Sequence, residues 1–174
     1  QSEGVGEKAT IVPIIGDMRD KEYVDYIIKN TKCNVILHCA AYKHVPMMEE
    51  NQVAAIDNNV FGTKNLLDAS LKYNVERFVL ISTDKAVAPV SVYGDSKMLC
   101  EKLVLDAAKH ANENQAIMFV RFGNVLGSRG SILPLFQNQI ATGGPLIVTD
   151  EKMERFFMTI PEAAQLVLQA GVYA

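Results

Sequence analysis

Apolar runs recur along the chain, and segments with helical spacing separate them. Thr10-Ile11-Val12-Pro13-Ile14-Ile15 predicts a first strand, ended by Gly16-Asp17. Val35 to Ala40, Phe78 to Ser82 and Ile117 to Phe122 predict three more. The runs at 35–40 and 78–82 are continuously apolar, as in strands covered on both faces of a parallel sheet. Between the runs, Asp20 is placed to cap a helix over about 21–30, with Tyr23 and Ile27 on one face. A long segment from Met47 to Lys72 puts Val60, Leu66, Leu67 and Leu71 at helical spacing, and a helix from about Ser91 to His110 carries Met98, Leu99, Leu103 and Leu105. This βαβαβαβ rhythm predicts a mostly parallel sheet with helices on both faces. After Gly123 the rhythm changes: glycines punctuate a loop, a helix near 132–140, a short strand near 146–148 and a last helix opening at Ile160-Pro161.

Composition narrows the classes. The 174 residues suffice for one domain or most of one. With 17 basic and 20 acidic side chains, no cationic excess exists to neutralise a phosphate backbone, so no nucleic-acid partner is expected. At 49% hydrophobic residues the chain is too apolar for intrinsic disorder. No apolar run approaches the ~20 residues of a membrane helix, and Gln1-Ser2-Glu3-Gly4 is no signal peptide. Cys33, Cys39 and Cys100 are odd in number and widely spaced, which suits reduced thiols of a cytoplasmic protein, with Cys39 at a buried strand end. His38, His44 and His110 form no ligand cluster, so no metal is expected. A doubly wound nucleotide fold carries a glycine-rich turn after its first strand. None follows a strand here, and the expectation is a chain that begins beyond it.

The residues with most chemical content follow the third run. Ser82-Thr83-Asp84-Lys85 lies just past its end, where open α/β sheets gather their functional groups. Tyr93 and Lys97 are four residues apart, hence on one helix face. A cation beside a phenol favours the phenolate, so the pair suits a general base near neutral pH. Alone, Tyr-x-x-x-Lys is a weak pattern; the hydroxyl, carboxylate and amine ten residues upstream give it weight.

Longer runs then resemble a known group: Gly16-Asp17-Met18-Arg19-Asp20, Ala40-Ala41-Tyr42-Lys43-His44-Val45-Pro46, Asn59-Val60-Phe61-Gly62-Thr63, Ser82-Thr83-Asp84-Lys85, Tyr93-Gly94-Asp95-Ser96-Lys97, Arg121-Phe122-Gly123-Asn124-Val125 and Arg155-Phe156-Phe157-Met158-Thr159-Ile160-Pro161-Glu162-Ala163. Together they are similar to the extended short-chain dehydrogenase/reductases, and more narrowly to the UDP-N-acetylglucosamine 4,6-dehydratases of polysaccharide biosynthesis. The resemblance implies an α/β, doubly wound Rossmann-like parallel sheet lacking its first two strands and its C-terminal part. Residues 1–125 would be a partial NAD(P)-binding domain and 126–174 the start of a substrate-binding region.

The implied chemistry oxidises C4 of a UDP-N-acetylhexosamine, eliminates water across C5–C6 and returns hydride to C6, with NADP or NAD as cofactor. Tyr93 would deprotonate the 4-hydroxyl, Thr83 would orient it, and Lys97 would hold the cofactor ribose and lower the Tyr93 pKa. Lys85 would remove the C5 proton as a neutral amine, while a protonated Asp84 would serve the departing hydroxyl. Asp17, Ala40, Ala41, Lys43, Asn59, Ser82, Tyr93 and Lys97 would contact the cofactor. Lys43, His44, Asn124, Arg129, Ser131 and Arg155 would contact the substrate, the arginines suiting a diphosphate. A homo-oligomer is typical of the group. Two alternatives stay open: a UDP-sugar 4-epimerase sharing Tyr93 and Lys97, and a nucleotide-sugar binding fragment without turnover.

Overall fold

The computed structural model describes residues 9–128, 131–148 and 150–173. In chain order its elements are α1 (Lys21–Thr31), β1 (Val35–His38), α2 (Val45–Glu50), α3 (Gln52–Ile56), a π-helical turn (Asp57–Phe61) running into α4 (Gly62–Lys72), β2 (Arg77–Thr83), α5 (Val92–His110), β3 (Ala116–Phe122), β4 (Asn124–Val125), α6 (Ile132–Ala141), β5 (Phe157–Met158) and α7 (Ile160–Tyr173). The three longer strands pair in parallel in the order β1-β2-β3, Leu37 against Val79 and Val79 against Met118. The chain folds as a Rossmann-like α/β unit.

The pleat of β2 explains its continuous apolar run. Phe78 and Leu80 point to one face and pack with Leu67 of α4, Cys100, Val104 and Ala107 of α5, and Ile117 of β3. Val79 points to the other face and packs with Phe122, Ala163 and Val167, so α7 closes the opposite side. Phe78, Val79 and Leu80 are fully buried, each contributing about 1.5–3 kcal/mol of apolar transfer. A satellite core of Val24 and Ile28 against Ala69 and Val75 fastens α1 to α4.

Caps fix the helix starts. Asp20 accepts from the Tyr23 amide at 3.0 Å, as the sequence predicts. Ser91 accepts from the Gly94 amide at 3.2 Å, and Glu49 accepts from the Val92 amide at 2.8 Å, which ties α2 to the first turn of α5. Gly94 is required there, because a Cβ would meet the Lys85 carbonyl oxygen at 2.5 Å.

Two predicted strands are absent. Residues 10–15 form no ladder, and Ile11, Val12, Ile14 and Ile15 are exposed. No described strand lies alongside them, and apolar residues alone cannot satisfy a strand's backbone groups. Residues 146–148 are likewise unpaired and exposed. The second small sheet forms elsewhere, as β4 beside β5. Among the described residues, no helix is long and apolar enough to cross a membrane, and no His/Cys/Asp/Glu group suits a metal ion. Cys39, expected at a buried strand end, is exposed.

Candidate active site

The three parallel strands finish at the same edge, and the loops beyond them form one recess. Thr83 ends β2 and Lys85 follows it; after β3 come Gly123 and Asn124; Lys43 arrives from the loop after β1, and Tyr93 from the start of α5. These residues, with Ser82, Ser128 and Ser131, line a recess of about 230 Å³. Lys85 is shared with an adjoining cavity of about 510 Å³ that also takes Asp84, Arg155 and Phe156. The strand pairing of β4 with β5 brings Arg155 there, because the Asn124 amide donates to the Phe156 carbonyl at 2.8 Å.

Thr83, Asp84 and Lys85 are bonded to one another. The Thr83 hydroxyl donates to Asp84 Oδ1 at 2.9 Å, and Lys85 Nζ donates to the same oxygen at 3.1 Å and to Asn124 Oδ1 at 3.2 Å. Desolvation pushes the Asp84 carboxyl up, but the hydrogen bonds from Lys85 and Thr83 outweigh it, so the acid is held below its ordinary range. This is the reverse of the protonated Asp84 that water elimination calls for.

Tyr93 and Lys97 share a face of α5 as their spacing predicts. Lys97 is buried and its Nζ donates to the Ile81 carbonyl at 2.9 Å. Burial lowers the Lys97 pKa and raises that of Tyr93, whose neighbouring Thr83 hydroxyl pulls the other way. The expected lowering of the Tyr93 pKa by Lys97 is therefore not the balance found here: desolvation dominates, and the ammonium is turned to β2.

Other expected contacts are spent inside the protein. The Asn59 side chain accepts from the Tyr42 amide at 2.8 Å and from Asn58 Nδ2 at 3.0 Å. Its amide group donates to the Tyr42 carbonyl at 3.0 Å and to Ser96 Oγ at 3.1 Å. With both donors and both acceptor sites used, it pins the loop after β1 to α5 and leaves nothing for a ligand. Ser82 lines the recess but donates its hydroxyl to Glu101 at 2.6 Å. Asp17 lies on the loop before α1. The Arg19 guanidinium holds its carboxyl down at about 2, and Arg19 in turn reaches Asp57.

The recess does not collect every predicted residue. Ala41 and His44 line a separate cavity of about 500 Å³ with Tyr42, Lys43, Met47 and Met48, and Ala40 is exposed beside it. Ser131, at the start of α6, has a buried hydroxyl with no partner among the described residues, facing the recess it lines. Arg129 lies outside the described residues.

Sequence reasoning missed two features. Glu101 is buried and takes both Arg121 and Ser82; its position one helical turn past Lys97 was the available signal. His38 is buried with Nε2 2.8 Å from Thr63 Oγ1. Since Thr63 spends its proton on the Asn59 carbonyl at 2.6 Å, the hydrogen lies on His38 Nε2. Burial holds the imidazole neutral, its pKa down at about 3. An unfolded chain takes up this proton below about pH 6.5, so the fold loses stability as pH falls from there toward 3, by at most about 1.4 kcal/mol per unit. In the whole protein, denaturant midpoints for His38→Asn should fall less steeply than the parent's between pH 7 and pH 5; equal slopes would refute this.

The sheet, the strand-end recess and the Tyr93–Lys97 pair define a member of the extended short-chain dehydrogenase/reductase superfamily. The chain belongs to the polysaccharide biosynthesis protein family, whose model matches residues 2–174. It is 47% identical over 173 residues to the capsular polysaccharide biosynthesis protein CapD of Staphylococcus aureus, covering 99% of this chain and 29% of that one. It is 43% identical to the UDP-glucose 4-epimerase of Rickettsia canadensis (90% of this chain, 46% of that one). It is 39% identical to the inverting UDP-N-acetylglucosamine 4,6-dehydratase of Campylobacter jejuni (88% and 46%). Among solved structures, Pen from Bacillus thuringiensis superimposes with a TM-score of 0.86 at 38% identity, over 92% of this chain and 51% of that one. More distant structures of the same fold, at 22 to 24% identity, include an epimerase and a dehydratase solved with NAD. The chain spans less than half the length of these curated relatives, between 29% and 46%.

Proposed function

We propose that the whole protein is a nicotinamide-dependent UDP-sugar 4-epimerase that oxidises C4 of a UDP-hexose or UDP-N-acetylhexosamine and returns hydride to the opposite face of C4. The observation that carries this reading is the state of Asp84. Paired with Lys85 and bonded by Thr83, it is a carboxylate, able to accept hydrogen bonds but poor at protonating a departing hydroxyl. Epimerisation needs no such acid. The likeness to the Rickettsia epimerase supports the same side.

The donor set fits a dinucleotide. A buried ammonium at the strand ends, using one acceptor among the described residues, suits the vicinal hydroxyls of a ribose. Lys97 would hold that ribose, and Lys43 would meet the phosphates. Asp17, which keeps acceptor capacity beyond its bonds to Arg19, would meet the adenine amino group. NAD or NADP, when bound, supplies the hydride acceptor and donor. Tyr93 takes the proton from the 4-hydroxyl and gives it back, and Thr83 orients that oxygen. Asn124 and the Ser131 hydroxyl, which line the recess, and Arg155 of the adjoining cavity would bind the nucleotide sugar, with His44 and Arg129 as further ligands.

A second reading, 4,6-dehydration of UDP-N-acetylglucosamine, rests on Lys85 Nζ lying beside Asp84 at the junction of the recess and the Arg155 cavity. Product mass separates the two after incubation of the whole protein with UDP-N-acetylglucosamine or UDP-glucose in heavy water. Unchanged mass with altered mobility is the expected result. A loss of 18 mass units with deuterium uptake would transfer the assignment to the dehydratase, and no turnover of either sugar would sink both.

A further inference from the structure

Glu101 is a buried carboxylate that the chemistry above does not use. It is 4% exposed, yet it sits on α5 one turn beyond Lys97 and two beyond Tyr93, on the same helix face. Its Oε1 accepts from Ser82 Oγ at 2.6 Å and from Arg121 Nε at 2.9 Å, and its Oε2 accepts from Arg121 Nη2 at 2.7 Å. Ser82 and Arg121 are register partners across β2 and β3. Lys97 meanwhile grips the carbonyl of Ile81, the residue before Ser82. Consecutive residues of β2 are thus held by consecutive turns of α5, immediately before Thr83.

The geometry points to Glu101 as a positioning residue: it clamps the Thr83 end of β2 to the helix carrying Tyr93 and Lys97, and it sets an anion one helical turn from Lys97 on the same face. The groups facing Lys97 bear this out. Cys100 on the same helix is a buried thiol, and Cys39 on the loop after β1 is an exposed residue whose sulfur is partly desolvated; both pKa values are pushed up, so both are neutral near pH 7. His38 on β1 is held neutral as well. Desolvation opposes ionisation of Glu101, but Arg121, Ser82 and Lys97 overcome it and leave the carboxylate charged. Tyr93 faces Thr83 and Asp84 instead.

The role assigned to Glu101 rests on Tyr93–Lys97 being the reactive pair, and its test includes a readout independent of turnover. In the whole protein, the Lys97 amine is titrated by NMR of 13Cε-labelled lysine, assigned with K97M, beside kcat and KM against pH. E101Q removes the anion but can still accept from Ser82. R121Q leaves the anion without its guanidinium. The Lys97 pKa should fall by about half a unit or more in E101Q and rise in R121Q, and the alkaline limb of kcat should move the same way in each. In E101Q kcat should drop about tenfold or more with UDP-sugar KM nearly unchanged. A purely structural role would not give shifts of opposite sign. Unmoved or same-direction titrations would overturn the proposal; if E101Q does not fold, an upward shift in R121Q supports it and none refutes it. Absence of turnover in the parent protein would count against the proposed function alone, since the titration still reads the clamp.

Discussion

Replacing Tyr93 with phenylalanine in the whole protein should lower kcat about 10²–10⁴-fold, the range lost with a positioned general base, while UDP-sugar KM stays within about threefold. The half-buried ring keeps its place on the first turn of α5, which Ser91 and Glu49 cap independently of the phenol, so the thermal midpoint should barely move. Two features make the hydroxyl decisive. It opens on the recess that Thr83 and Asn124 also line, and burial keeps it protonated unless a charge favours the phenolate. Tyr23→Phe is the matched control: its hydroxyl donates to the Ile15 carbonyl at 2.7 Å, far along the chain from the recess, and turnover should be unaffected. Equal kcat in Tyr93→Phe and the parent would remove Tyr93 from the chemistry and with it the oxidation at C4.

The parts of the fold legible in the sequence were those whose physics is local or repeats with a fixed period. β2 could be read because a strand covered on both faces must be apolar at every position, which Phe78, Val79 and Leu80 satisfy. The Asp20 cap could be read because an N-cap depends on its own few residues. Residues 10–15 have the same apolar character but no ladder, since strand propensity describes a surface to be paired and not its partner. β4 and β5 were invisible for the opposite reason: two residues each, joined across more than thirty positions, leave no periodicity.

The site divides in the same way. Tyr93 and Lys97 were found because four residues on a helix fix a shared face, and the strand-end rule placed Thr83 and Lys85 near them, whereas Asn124 came only from the family resemblance. Spacing could not show where each hydrogen bond goes. Asn59 looked available to a cofactor and instead holds the Tyr42 backbone. Ser82 looked available to a ribose and instead donates to Glu101. Nor could it show ionisation, which follows from burial and neighbours: Asp84 is drawn down by contacts that its position beside Lys85 only hints at.

Lys97→Met should separate stability from function. The thioether has nearly the length of the lysine stem, so the packing against Ile81 is kept and only the charge and one hydrogen bond are lost. Burial lowers the Lys97 pKa below its ordinary 10.5, which means the charged form is less welcome in the fold than in the unfolded chain. Between the folded value and 10.5 the unfolded state binds more protons, and the parent gains stability as pH rises through that window. Below it, at pH 7, the parent carries the full cost of a desolvated ammonium. Methionine removes that cost and forfeits one hydrogen bond to the Ile81 carbonyl. Glu101 keeps Arg121 and is not stranded. The two changes nearly cancel, and the midpoint of Lys97→Met at pH 7 should lie within about 1 kcal/mol of the parent or above it. Its stability advantage should shrink as pH climbs toward 10. Turnover should go the other way, with kcat down about 10²-fold or more and the nicotinamide dinucleotide bound more weakly, because the buried cation that would hold a ribose and favour a phenolate is gone. Denaturant midpoints at pH 7 and 9.5, set beside kcat and dinucleotide affinity, read all of this. A variant that is several kcal/mol less stable at pH 7 would mean that Lys97 is chiefly a structural clamp on β2, and one that keeps parental kcat would refute its part in the reaction.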